Sequence, residues 1–520
     1  MTAPDGQRAS VGESTAVNLA AKTGALALGF VVTPYVVERL GLRAFGFVAL
    51  ISAFSQYASL LDFGVGFTLT RAIAAAYARG DEQAVARRAS SALWSSAAFG
   101  TILVLATTAL VFAFGSSIGR SWPHGWQAAV VAVAVSVACT SVASVLQAFP
   151  AGISRWDLAN VPTVANQLTY SAVVVVALQI ETNLTAVALA TAAAGVVGIG
   201  SAYVVYRTRW GRTVRIAHVS WAETIALWRY GLSVQTVNLV QLVNSQADKP
   251  VLLLFTNLQF VGLYELGSRV AFSIRALLLA AFGPLSVEAA GTMATGGRSA
   301  VARYYRRAYR TVALVGLAPI FALYGSSYAL VILWLGPSDR VSGVIALVLG
   351  VGYAVNLSTG VGTALAMGAG RPDLDRNYSA LGFALNVSLT VALGLLIGRW
   401  GVVIATALGL VLSSVWLLRS VDRWLGTRIL SWRAIAGSRT AGELLLLALS
   451  LGFAITVCAA DAGPPSRAAA AAYLGAGAAI FGIAWGWSAS REGLLRRPRI
   501  VREILARIRS RAPAAQGELG

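Results

Sequence analysis

Residues 43–67 read RAFGFVALISAFSQYASLLDFGVGF, and between Arg43 and Asp62 no residue carries a charge. An α-helix rises 1.5 Å per residue, so about 20 apolar residues cross the ~30 Å hydrocarbon core of a bilayer. This stretch is therefore read as a membrane-spanning helix. Its few polar residues are not scattered. Ser52, Ser55, Ser59 and Asp62 fall at helical spacing, which gathers them on one face. A spanning helix with such a stripe turns it toward other protein or toward water, because lipid solvates neither hydroxyl nor carboxylate.

The same pattern runs outward through the chain. Spans are expected at 14–37, 43–67, 90–114, 127–149, 160–180, 184–206, 230–255, 259–285, 309–335, 341–368, 377–398, 400–418, 441–460 and 468–488. The 520 residues are 57% hydrophobic and only 12% charged, against about 25% charged in soluble domains. The ten-residue alternation of a β-barrel is missing. The fold class is thus an all-α polytopic membrane protein of about 14 transmembrane helices. The opening residues 1–13 are polar and lack a signal-peptide pattern, so the first span is read as retained.

The net charge of +20 does not point to nucleic acid. The 41 cations are all Arg except Lys22 and Lys249, and nearly all lie in short connections between spans. Thirty-one fall on the side that holds the N-terminus, six on the other and four inside spans. That bias predicts a multi-pass protein of the cell inner (cytoplasmic) membrane with both termini in the cytoplasm. The expected organisation is a cytoplasmic N-terminus 1–13, an N-lobe 14–206 and a basic loop 207–229. A C-lobe 230–418, a second basic loop 419–440, two further spans in 441–488 and a basic tail 489–520 follow. Within the tail, 491–511 reads as an amphipathic basic helix on the inner leaflet.

Six spans precede the loop at 207–229 and six follow it, so a duplication would relate the halves about an axis along the membrane normal. A faint echo agrees. Ala16-Val17-Asn18-Leu19 answers Thr236-Val237-Asn238-Leu239, and Leu42-Arg43-Ala44-Phe45-Gly46 answers Leu258-Gln259-Phe260-Val261-Gly262.

The first two spans of each half carry polar faces. Span 1 has Thr15, Asn18, Lys22, Gly29 and Thr33; span 7 has Asn238, Gln241, Ser245 and Asp248 with Lys249 beside them; span 8 has Glu265, Arg269 and Arg275. A charge at the bilayer centre costs roughly 2.5–3.5 kcal/mol or more, which predicts a shared polar interior. Glu265 and Arg269 stand at the i,i+4 spacing of a structural ion pair. Cys139 and Cys458 read as small hydrophobic residues, and His124 and His218 lie in loops, so neither a metal site nor a cofactor is expected.

Two stretches carry a resemblance. Leu60-Leu61-Asp62-Phe63-Gly64-Val65-Gly66 followed by Thr70-Arg71, and Asp248-Lys249-Pro250-Val251-Leu252-Leu253 followed by Phe260-Val261-Gly262-Leu263-Tyr264 and Pro284, resemble the polysaccharide-biosynthesis flippases. These belong to the multidrug/oligosaccharidyl-lipid/polysaccharide exporter superfamily. The resemblance implies two six-helix lobes in a V, plus two C-terminal helices, with alternating access around a cationic cavity lined by helices 1, 2, 7 and 8. It also implies a lipid-linked glycan as substrate, carried on a polyprenyl (pyro)phosphate.

On that reading Lys22, Arg269 and Arg275 are the candidates for gripping phosphate, and Asn18, Asn238 and Gln241 those for sugar hydroxyls. Asp248, with Asp62 second, is the candidate for coupling to a proton or sodium gradient. Membrane lipids and the glycan polymerase machinery are the expected partners, and nucleic acid is not.

Two transporter alternatives stay open: a drug/cation antiporter and a peptidoglycan-precursor lipid flippase of the same superfamily. A membrane glycan polymerase or ligase is the remote alternative. Such an enzyme needs acids or His on a sizeable outer loop, and the expected outer loops hold little beyond Glu38, His124, Asp339 and Asp461. The chain is therefore read as a secondary transporter with no catalytic residues.

Overall fold

The computed structural model describes residues 11–60, 62, 64–79, 81–118, 122–211, 218–279, 283–336, 339–427 and 466–491, although some side chains within these ranges are excluded. All the elements described are helical. They run α1 (Val11–Leu40), α2 (Leu42–Leu60), α3 (Val65–Arg79), α4 (Glu82–Ile118), α5 (Trp126–Gly152), α6 (Trp156–Ala159), α7 (Val161–Ile180) and α8 (Leu184–Trp210). There follow α9 (Trp221–Gln246), α10 (Asp248–Phe255), α11 (Leu258–Leu279) and α12 (Gly283–Val312). A π-helical turn at Ala313–Leu317 leads into α13 (Ala318–Gly325) and α14 (Ser327–Leu335). Last come α15 (Arg340–Leu357), α16 (Gly360–Gly368), α17 (Pro372–Ile397), α18 (Arg399–Leu425) and α19 (Arg467–Arg491).

Among the described residues eight helices are long and apolar enough to cross a membrane, or ten if the bent pairs α2–α3 and α13–α14 each count as one span. The protein is a multi-pass helical membrane protein. The helices read as spans 1, 7 and 8, namely α1, α9 and α11, are not among the ten. For α9 and α11 composition explains this: α11 holds Glu265, Arg269 and Arg275, and α9 holds Gln235, Asn238, Gln241, Asn244 and Gln246. The expected span 441–460 and the tail helix at 491–511 lie outside the described residues, apart from Arg491, which ends α19.

Several basic stretches read as loops are helical instead. α4 starts at Glu82, α9 at Trp221, and α12 occupies most of the expected connection 286–308. Hydropathy marks where a helix leaves the bilayer, not where it stops, and Arg and Ala are good helix formers in water.

The chain divides into two compact units, Met1–Glu265 with Ile397–Val402, and Leu266–Leu396 with Val403–Gly520. In the first, α5 packs along α8 and α4, and α7 packs on α8 and α1. Small residues set these approaches: a Cβ on Gly100 would lie 3.1 Å from Ala138 Cα, and one on Gly195 3.1 Å from Ser136 Cα. Leu69, Ile73, Phe149, Tyr206 and Trp210 fill a core between α3, α5 and α8. α9 closes against α3 and α4, with Arg88 Nε 3.1 Å from Glu223 Oε2 and Trp228 Nε1 donating to Ser95 Oγ at 2.8 Å.

In the second unit α15 packs on α13 and α14, and α16 on α12. Tyr328 lies over Gly343, and Tyr324 over Gly350. α19 covers Tyr328, Ala329 and Ile332 of α14 with Ala470, Tyr473 and Leu474.

Candidate functional site

Asp62 sits in the break between α2 and α3. Gly64 follows with φ of +60°, a left-handed conformation that glycine adopts without the Cβ clash of other residues. The turn aims the Gly64 N–H at Asp62 Oδ1, 2.7 Å away. Ser141 Oγ of α5 donates to Asp62 Oδ2 at 3.1 Å. From α9, Gln235 Nε2 reaches Oδ1 at 3.4 Å and the Leu60 carbonyl at 3.3 Å. The carboxylate also lies at the N-terminal end of α3, where the helix dipole favours negative charge.

Asp62 faces a cavity of about 580 Å³ between α2, α3, α5 and α9. Its other polar lining residues are Gln56, Ser59, Thr140, Ser141, Ser144 and Gln235. The described lining therefore offers hydroxyls, amides and one carboxylate, and no cation. Such a surface replaces water around a hydroxylated molecule and can hold a proton or a small cation at one point.

A second cluster closes the first unit where α9 breaks into α10. Lys249 Nζ lies 2.8 Å from Glu265 Oε2 and 2.7 Å from Gln246 Oε1. The neighbouring Asp248 accepts the Tyr264 hydroxyl. Asp248 and Lys249 are 4% and 6% exposed. A charged pair this deep is tolerated because each ion has partners, and removing one partner is costly.

In the second unit, the Arg275 guanidinium lies 5.5 Å from the Tyr353 ring centroid and 6.0 Å from that of Phe272. Its Nε is buried and has no hydrogen-bond partner among the described residues. The two rings hold the flat cation in place through cation–π attraction.

Residues 11–287, more than half the chain, match the family model described as polysaccharide biosynthesis protein. The chain belongs to that family. No curated protein matches the chain in sequence. Its fold is similar to that of the lipid II flippase MurJ in an inward closed conformation, with a TM-score of 0.63 and 13% identity, covering 93% of this chain and 99% of the other. It is also similar to an inward-facing multidrug resistance MATE family transporter of the MOP superfamily, with a TM-score of 0.54, 15% identity and coverage of 78% and 96%. A MATE structure in the straight conformation gives 0.53, 14% identity, and 79% and 97%. The expected family and superfamily fold are thus found.

The residues singled out in the sequence fall at several places. Asp62 lines the polar cavity, while Asp248, Lys249 and Glu265 gather in the buried cluster. Glu265 reaches Lys249 of α10. Asn18 accepts from Asn160 Nδ2 at 3.2 Å, tying α1 to the start of α7. Arg269 and Arg275 belong to the second unit. The side chains of Lys22, Asn238 and Gln241 lie outside the described ones.

Sequence reasoning passed over Thr140, Ser141, Ser144 and Gln235. Their signals were present: three hydroxyls within five residues of an apolar span, and an amide three residues before Asn238 on the same arc.

Proposed function

We propose that this family member is a flippase that moves polyprenyl-(pyro)phosphate-linked oligosaccharide repeat units across the cytoplasmic membrane by alternating access, driven by a proton or sodium gradient. The observation that carries this reading is the cavity at Asp62, a chamber of hydroxyls and amides inside a unit whose outside is hydrocarbon. A glycan stripped of water in a bilayer loses several kcal/mol for each unsatisfied hydroxyl. A lining of Ser, Thr and Gln returns those bonds and asks for no chemistry. The protein is accordingly a transporter and not an enzyme, with both termini cytoplasmic and α1, α9 and α11 crossing the membrane beside the more apolar spans.

Ion coupling belongs first to Asp62 and second to Asp248. Asp62 faces open space with neutral donors around it, whereas Asp248 is buried beside Lys249 and accepts from Tyr264. Lys22, Arg269 and Arg275 are the phosphate ligands on this reading; Asn18, Asn238 and Gln241 contact sugar. The lining of the cavity also favours a second reading, because a lone carboxylate without a cation is a seat for an organic cation. That is the drug/cation antiporter. Family membership and the number of neutral hydrogen-bonding groups support the glycan.

One experiment separates the two. Purified protein in vesicles is given a fluorescent polyprenyl pyrophosphate oligosaccharide on one leaflet, and separately ethidium. The flippase reading expects gradient-dependent movement of the glycan lipid, slowed roughly tenfold in Asp62→Asn, and no ethidium transport. Ethidium transport without glycan-lipid movement overturns it.

A further inference from the structure

A second cavity lies beside the polar one and is its chemical opposite. It measures about 330 Å³ between α2, α4 and α5, and its walls are almost wholly apolar, with Phe47, Phe54, Leu103, Leu110, Phe114 and Val133 among them. α2 turns Phe47, Leu50, Ile51, Phe54 and Ala58 toward it, the spacing of one helix face. One end is lined by tilted and edge-to-face rings, with Phe47 and Trp122 centroids 5.1 Å apart and Trp122 and Trp126 4.8 Å apart. The side is open: Phe54, Leu110 and Phe114 are 54%, 59% and 52% exposed to the surroundings.

Val137 lines both cavities, and α2 passes from one to the other within a turn, at Ala58 and Ser59. A hydrocarbon groove and a hydroxyl-lined chamber that share a wall fit one amphipathic molecule. The size suits a single chain. An apolar cavity of ~150 Å³ takes up benzene, so this one holds on the order of a dozen carbons, and the open side lets a longer chain continue into the bilayer. The direction fits as well. With the N-terminus cytoplasmic, α2 runs from the outer face inward, so the polar chamber lies nearer the cytoplasm and the groove runs from there toward the outer face, where Trp122 and Trp126 flank the loop that holds His124. An inner-leaflet lipid points its head and tail the same way.

We infer that the groove between α2, α4 and α5 seats the first isoprene units of the transported lipid while its glycan occupies the chamber at Asp62. The inference rests on the flippase reading for the identity of the tail. A bilayer phospholipid is the competing occupant, and its two chains disfavour it in a groove sized for one.

The test uses full-length protein in vesicles of phosphatidylethanolamine and phosphatidylglycerol. The probe is a polyprenyl pyrophosphate N-acetylhexosamine with a diazirine in its third isoprene unit. After irradiation, peptide mapping is expected to find the label on α2 and α4 around Phe54, Leu103 and Leu110. Excess unlabelled polyprenyl pyrophosphate sugar is expected to reduce that label roughly fivefold, and equal excess phosphatidylglycerol to leave it unchanged. Thr107→Trp, which fills the groove from α4, is expected to reduce it similarly and to slow movement of the long-chain probe. A two-isoprene analogue, whose units all fall within the groove, should be slowed as well. Equal displacement by phosphatidylglycerol, or label placed away from α2, α4 and α5, overturns the inference. A wild-type protein that moves no glycan lipid defeats the flippase reading instead, and the competition experiment still decides what the groove holds.

Discussion

Gly46 and Gly262 bring α2 and α11 into backbone contact. A Cβ on Gly46 would stand 1.7 Å from the Leu258 carbonyl oxygen, and one on Gly262 would stand 2.6 Å from that of Leu42. The contact is reciprocal. Leu42 to Gly46 and Leu258 to Gly262 are the two segments that echo each other in sequence, and each glycine meets the residue that opens the other segment. Reciprocity of this kind is the mark of a two-fold relation between matching segments.

Adding a methyl group at this crossing forces two backbones apart. Gly46→Ala and Gly262→Ala are expected to destabilise the protein by about 1–3 kcal/mol, the usual cost of overpacking. Gly24→Ala in α1, where nothing lies within 4 Å, should be neutral or stabilising. Thermal unfolding in detergent, followed by circular dichroism, checks the contrast.

The Lys249–Glu265 pair predicts a non-additive result. Lys249→Met or Glu265→Leu alone leaves one buried ion without its partner and should cost about 3–5 kcal/mol. The double variant should recover most of that loss. A double-mutant cycle on unfolding midpoints measures it, and simple additivity would show that the pair is not coupled.

Arg275 between Phe272 and Tyr353 depends on the shape of its side chain as well as on its charge. Arg275→Lys keeps the cation but loses the plane that lies beside the rings, so it should reduce transport nearly as far as Arg275→Ala does. Full activity in the Lys variant would mean that charge alone suffices.

Asp339 supplies a pH dependence outside the spans. It caps α15 without a side-chain cap bond, and burial holds its carboxyl above the usual carboxylate range. Folding therefore favours the protonated form. Its stabilising contribution is complete below the unfolded value of about 3.9 and is lost as pH rises through the folded value. Asp339→Asn should raise the melting temperature at pH 7, and the gain should shrink as the pH approaches 4.

Much of this was legible in the chain. The multi-pass helical class and the polar face of α2 that ends at Asp62 follow from helical spacing and from the cost of placing charge in lipid. The contact of Glu265 with Lys249 was not legible. Lys249 reaches it only because the chain breaks at Ala247 and returns through Thr256 and Asn257 into α11. The long helices under the basic stretches were missed for a related reason: hydropathy measures solvent preference, and a helix can change solvent without ending. The chamber itself needed α5. Thr140, Ser141 and Ser144 look like ordinary small residues of a packed span until α2 breaks opposite them.

α11 carries Glu265, Arg269 and Arg275 within half its length, too many charges for a helix to rest alone among acyl chains. During synthesis it emerges only a few residues after Lys249, the ion that neutralises Glu265. The insertion machinery must therefore release these two helices as a couple, and α11 cannot enter the bilayer until α10 is ready to receive it. A lesion at Lys249 would then first appear as chains degraded before completion, upstream of any transport defect.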